Sequence, residues 1–167
     1  DITEKGMRRV LNFVKPGVTE YEIEAEYMHE FLRNRSKGFA YTPIIASGNN
    51  ANVLHYIENN QVCKDGELIL IDVGAEYANY CSDMTRTIPV NGRFTKRQRD
   101  VYNAVNRVKI AATKLLVPGA IWKDYHVEVG HLMTSELLGL GLIDKADVKN
   151  EDPNWPAYKK YFMHGTS

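Results

Sequence analysis

Leu68-Ile69-Leu70-Ile71-Asp72-Val73-Gly74, followed after a short break by Ser82-Asp83-Met84-Thr85-Arg86-Thr87, is the stretch whose reading decides the fold. Asp65-Gly66 turns the chain into it, and the unbroken apolar run from Leu68 to Ile71 is the pattern of a strand buried on both faces. Residues 79–90 are extended by pattern and mixed in polarity, closing at Pro89 and the turn Asn91-Gly92. Asp72 ends the first strand, and Asp83 follows in the second. If the two pair as a hairpin turning near Tyr77-Ala78, the aspartates face each other directly, with Cβ atoms about 5 Å apart. Like charges so placed destabilise a sheet, and a buried strand end is a costly place for an ion. Either one carboxylate takes up a proton or a cation sits between them. Two divalent metals about 3.5–4 Å apart is the arrangement that activates water for amide hydrolysis. Oxygen-rich ligation favours Mn²⁺, with Zn²⁺ or Co²⁺ if a histidine joins. Spacing alone favours two solvated aspartates, since Asp is common at strand ends.

Upstream, residues 3–14 are expected to form a helix ending at Lys15-Pro16-Gly17. Thr19 with Glu22 reads as a capping box, and the helix it opens carries Ile23, Tyr27 and Phe31 on one face, with Met28 and Leu32 beside them. Residues 41–46 are a strand candidate, Ser47-Gly48-Asn49-Asn50 a turn cluster, and residues 53–56 a short extended piece. Downstream, Thr95 with Gln98 is a second capping box, opening a long helix with Val101, Val105, Val108, Ala112 and Leu115 as its stripe. A further helix places Tyr125, Val129, Leu132 and Met133 on one side, and residues 139–158 read as irregular. The arrangement of helix, Pro-Gly and helix occurs at Pro16-Gly17 and again at Pro118-Gly119. A period of about 100 residues points to two halves of one domain rather than to a solenoid. The chain reads as one domain, with a first half-repeat over about residues 1–95 and the helical start of a second over about residues 96–167.

The 167 residues carry 21 acidic and 21 basic side chains, a balance that gives no reason to expect nucleic acid or an anionic membrane as partner. No apolar run approaches the roughly 20 residues of a membrane span, and the first residues do not resemble a signal peptide. Cys63 and Cys81 suit two free thiols in a reduced, cytoplasmic setting. Both chain ends suggest an excised fragment.

The segment Ile45-Ala46-Ser47-Gly48-Asn49-Asn50-Ala51-Asn52-Val53-Leu54-His55-Tyr56, the two segments quoted at the outset and the final Phe162-Met163-His164-Gly165-Thr166-Ser167 together resemble the creatinase/methionine-aminopeptidase superfamily (peptidase family M24). Within it they are most similar to Xaa-Pro aminopeptidases. The resemblance implies an α/β (α+β) pita-bread fold of two pseudo-symmetric halves around a dinuclear metal site, here truncated in its second half. It implies that Asp72 and Asp83 are metal ligands, and that one His and two Glu beyond Ser167 complete the set. It also implies that His55 and His164 line the substrate pocket as active-site histidines, His55 binding the tetrahedral intermediate or shuttling protons around it. The implied partner is a peptide with proline in second position, and the implied reaction is attack by a hydroxide shared between two metal ions. Homo-oligomerisation of the full-length protein is expected from the same source. The chain as it stands is expected to bind metal weakly and to be inactive. Alternatives are a prolidase restricted to Xaa-Pro dipeptides and a non-catalytic pita-bread module that binds peptides or proteins. His29, His126 and His131 match no family site and read as structural, and alternation turns Arg86 away from Asp83.

Overall fold

The computed structural model describes residues 1–162 and divides into two compact units, Asp1–Phe94 and Thr95–Ser167. Helix α1 (Ile2–Phe13) and helix α2 (Glu20–Arg33) open the first. Thr19 is the N-cap of α2 and Glu22 its capping-box partner, as the spacing predicts: the Thr19 N–H donates to Glu22 Oε2 at 2.7 Å. Ile23, Tyr27 and Phe31 are fully buried, and Gly6 on α1 lets the two helices approach closely. A Cβ there would lie 2.6 Å from the Tyr27 ring. Leu32 is the exception to the predicted face. It points away from the core and is 57% exposed, because it falls a quarter-turn past Phe31.

Two small antiparallel sheets follow. Strands β1 (Gly38–Phe39), β4 (Ala75–Tyr77) and β5 (Tyr80–Cys81) form one, and β2 (Ile44–Ser47), β3 (Leu68–Val73) and β6 (Met84–Pro89) the other, in the order β2-β3-β6. Ile69, Ile71 and Val73 pack into the core with Met7, Val10, Ile23, Tyr27, Phe31 and Ile45. Leu68, Leu70 and Asp72, on the opposite face, are only half-buried. The expectation of burial on both faces is therefore corrected within this unit. The helices cover one side of β3, and the alternation of an antiparallel strand separates the two sides. The expected extended piece at residues 53–56 is also corrected. A 3-10 turn, Gly48–Asn52, leads into a tight turn at Leu54-His55, and His55 adopts φ +55°. Cys63 is buried and Cys81 exposed; both are unpaired thiols.

The second unit holds helix α3 (Lys96–Leu115), capped by Thr95 and Gln98 in a reciprocal box, and helix α4 (Trp122–Gly139). Val108 and Ala112 pack on Val129, with Tyr125, Leu132, Met133 and Phe162 around them. The buried stripe of α3 runs through Ala104, Val108 and Ala112, whereas Val105 is 50% exposed. A helix buries the i, i+4 row, and the small side chain of Ala104 lies on that row one step from Val105. Residues expected to be irregular contain helix α5 (Lys145–Lys149), capped by Asp144, and a 3-10 turn, Ala157–Lys160. Arg107 clasps Glu136 with two hydrogen bonds of 2.7 and 2.6 Å, linking α3 to α4. The His126 ring lies tilted against Phe162, their centroids 5.3 Å apart, and His131 lies beside Glu128. None of the described helices is long and apolar enough to cross a membrane.

Candidate metal centre

The positions of Asp72 and Asp83 follow from one turn. Ala78 and Asn79 both have positive φ, +53° and +66°, giving the two-residue hairpin whose twist matches right-twisted strands. Tyr77 pairs with Tyr80, Glu76 with Cys81, Val73 with Met84 and Asp72 with Thr85. The predicted direct opposition of Asp72 and Asp83 is thus corrected. The hairpin closes one residue later than Tyr77-Ala78, and such a shift moves the register by two residues. A two-residue shift preserves side-chain parity, so Asp83 remains on the same face as Asp72, as its diagonal neighbour.

Gly74 is the hinge of this geometry. It interrupts the ladder between β3 and β4, and a Cβ on it would lie 1.7 Å from the Ser82 carbonyl oxygen and 3.0 Å from the Tyr41 ring. Without a side chain there, the strands close and Tyr41 lies across them. Ser82 is held in turn by Thr3, oxygen to oxygen at 2.6 Å, and accepts from the Ala75 N–H at 3.0 Å. That anchorage fixes the backbone next to Asp83.

Tyr41, in the bend between β1 and β2, joins the two acids. Its hydroxyl donates to Asp72 Oδ1 at 2.6 Å, and Asp83 Oδ1 lies 3.1 Å from the same oxygen. One proton serves two acceptors, and the carboxylates therefore lie within roughly 6 Å of one another. Burial holds the Tyr41 phenol well above its ordinary range, and the hydrogen bond to Asp72 and the charges of both carboxylates push it the same way. Tyr41 stays a proton donor throughout the physiological range. Its role was not legible beforehand, since it lies 31 residues from Asp72 and 42 from Asp83 in sequence.

Two hard carboxylate oxygens converging from adjacent strands suit a divalent cation as part of a ligand set. Among the described residues no group of three or more His, Cys, Asp or Glu completes one. His55 sits in its exposed turn and does not join such a group. His164 lies outside the described residues. Arg86 pairs with Ile71 in the ladder, one residue out of phase with Asp72, and so faces away from the acids as alternation predicts.

A further carboxylate, Glu20, went unrecognised in the sequence. It is fully buried and gathers five hydrogen bonds from Ser47, Asn50, Tyr56 and Gln61. Burial opposes its ionisation, but the donated hydrogen bonds outweigh it and hold the carboxyl below its usual range. The partner hydroxyl of Tyr56 is pushed up to about 12, first by burial and then by Glu20.

Comparison with known proteins gives the family and the fold. The model of metallopeptidase family M24 matches residues 1–167. The Xaa-Pro aminopeptidase of Haemophilus influenzae is 42% identical over 164 residues, covering 98% of this chain and 38% of that protein. The Escherichia coli Xaa-Pro aminopeptidase is 40% identical over 167 residues, covering 100% of this chain and 37% of that protein. Among solved structures, Pseudomonas aeruginosa aminopeptidase PepP superposes with a TM-score of 0.83 at 40% identity, over 86% of this chain and 32% of that one. Zinc-substituted E. coli aminopeptidase P in complex with product gives 0.82 at 40% identity with the same coverage. The mixed α/β architecture is the pita-bread fold of those structures. This chain belongs to metallopeptidase family M24. It spans 37–38% of the length of those two relatives, and the family together with its zinc-substituted member implies divalent metal ions.

Proposed function

We propose that these 167 residues work within a longer polypeptide that removes the N-terminal residue from peptides with proline in second position. Asp72 and Asp83 serve it as metal ligands. The observation that carries this reading is the convergence of the two carboxylates on one Tyr41 hydroxyl, beside relatives named Xaa-Pro aminopeptidase. When bound, a pair of divalent ions, Mn²⁺ by the hardness of the oxygen donors, supplies a polarised carbonyl and an activated water. The chain's own residues do the rest. Tyr41 orients both carboxylates through a proton it does not give up. Asp72 and Asp83 lie at the rim of the β3–β6 ladder, where their half-exposed face is open to a substrate backbone. By the family resemblance His55 and His164 act on the substrate, and His55, exposed in its turn, holds or passes on a proton there. Proline as the leaving residue has no N–H to bind and a fixed φ, so its pocket must select a ring by shape. The two unpaired thiols, one of them exposed, suit a reducing cytoplasmic location.

The test is a peptidase assay on the longer polypeptide with an Xaa-Pro-Yaa peptide and Mn²⁺. Turnover is expected, falling at least about 100-fold in the Asp83→Asn variant. Turnover that survives both chelation and Asp83→Asn removes the metallopeptidase reading.

A further inference from the structure

Glu20 is the first residue of α2, yet its side chain is fully buried rather than solvated. Oε1 accepts from the Ser47 N–H at 2.7 Å, the Ser47 hydroxyl at 2.7 Å and Asn50 Nδ2 at 3.1 Å. Oε2 accepts from the Tyr56 hydroxyl at 2.7 Å and the Gln61 N–H at 3.0 Å. One helical turn later, Glu24 accepts from Asn59 Nδ2 at 3.0 Å. Asn59, 2% exposed, also holds the Ile45 N–H at 2.9 Å and the Pro43 carbonyl at 3.0 Å. The N-terminal turn of α2 thus grips one segment, residues 47–61, at both of its ends.

A carboxylate stripped of water is tolerable only with its lone pairs satisfied. All five donors come from this segment, so an ionised Glu20 requires the segment in one conformation. Core packing does not supply that constraint at the tip. Val53, Leu54 and Ile57 are 55%, 63% and 54% exposed. Between them His55 adopts φ +55°, a conformation that residues with side chains rarely adopt and that persists only where the surroundings impose it. Tyr56, the residue directly after His55, is one of the five donors.

We infer that Glu20 is a positioning residue, whose buried carboxylate holds residues 47–61 in the single conformation that presents His55. The inference rests on the reading of His55 as a substrate-facing histidine.

Glu20→Gln keeps the shape of the side chain but turns one acceptor into a donor, which must then face either the Gln61 N–H or the Ser47 N–H. Two measurements test the role. In this chain, amide hydrogen exchange is expected to quicken at least about tenfold across residues 47–61 in Glu20→Gln, with the amides of α1 and of β3 to within threefold of their original rates. Unchanged protection at residues 47–61, or equal loss everywhere, overturns the anchor. In the longer polypeptide, kcat/KM on an Xaa-Pro-Yaa peptide is expected to fall about 10- to 100-fold. In a His55→Ala background the same substitution is expected to change it less than twofold, because the group it positions is gone. An undiminished further loss in that background means that Glu20 does not act through His55. Should Glu20→Gln fail to fold, Tyr56→Phe removes one of the five hydrogen bonds and is held to the same outcomes. Absence of turnover in the unmodified polypeptide counts against the proposed reaction, while the exchange measurement still decides the anchor.

Discussion

Asp83 lies diagonally across the β3–β6 ladder from Asp72, whose direct partner is Thr85, and the hydroxyl of Tyr41 spans the diagonal. Diagonal neighbours are further apart than opposed ones, by about 2–3 Å. That separation leaves room for a phenol oxygen between the acids, and by the same measure for cations. The geometry makes the tyrosine and the strand register joint determinants of the site.

Tyr41→Phe removes the proton that the two carboxylates share. Unfolding stability in the presence of chelator is expected to fall by about 1–2 kcal/mol, since two acceptors lose their donor. Added Mn²⁺ is expected to recover part of the loss, because a cation does the same electrostatic work. Thermal denaturation with EDTA and with Mn²⁺ measures both, and a variant as stable as the original in EDTA contradicts the bridging role.

Metal affinity of this chain is expected to be weak. Two carboxylates converge on Tyr41, and no group of three or more His, Cys, Asp or Glu forms among the described residues. Calorimetric titration with Mn²⁺ is expected to give a dissociation constant no tighter than about 10⁻⁴ M, the range of sites with few charged ligands. Asp72→Asn and Asp83→Asn should each abolish the heat of binding. Tight stoichiometric binding in the original chain would show that the donor set is larger than these two residues.

Gly74→Ala introduces a Cβ 1.7 Å from the Ser82 carbonyl oxygen, where backbone and not a flexible side chain must give way. The loss is expected to be about 3 kcal/mol or more, at the severe end for a single methyl group. Urea unfolding followed by circular dichroism reports it. Gly66→Ala meets no neighbouring atom and differs only in backbone strain at φ +79°, so it provides the milder comparison.

The pH dependence has two arms of opposite sign. Glu20 is held below its usual range in the folded state, chiefly by hydrogen bonds that overcome burial. Its contribution is therefore complete above the unfolded carboxyl value of about 4.3 and is lost as pH falls through the lower folded value. Cys63, pushed up to about 11 by burial, and the raised phenols of Tyr27 and Tyr41 act in reverse. They favour the folded state fully below their unfolded values of about 8.5 and 10, and that advantage declines as pH rises past them. Melting temperature against pH is expected to plateau between about pH 5 and 8 and fall on both sides. Glu20→Gln should flatten the acid arm, and an unchanged acid arm would show that the carboxylate at Glu20 is not its source.

The sequence by itself determined β3, the starts of two helices and the parity of the site. The apolar run from Leu68 to Ile71 marks β3, the pairs Thr19/Glu22 and Thr95/Gln98 mark two helix starts, and the row Ile23, Tyr27 and Phe31 marks the buried face of α2. These are local patterns, written in periodicity and capping chemistry within a few residues. That Asp72 and Asp83 share a face was also legible, because any shift of the hairpin turn by a whole residue changes the register by two. Tertiary structure alone decided which residues meet across long stretches of chain. It closed the turn at Ala78-Asn79, seated Tyr41 between the acids, and buried Glu20 under a segment up to 41 residues away. It also left Leu32 and Val105 in solvent, since a hydrophobic residue is buried only when another element covers it. Local pattern encodes direction and periodicity. Contacts between distant residues depend on packing, and packing is settled only when the whole unit has closed.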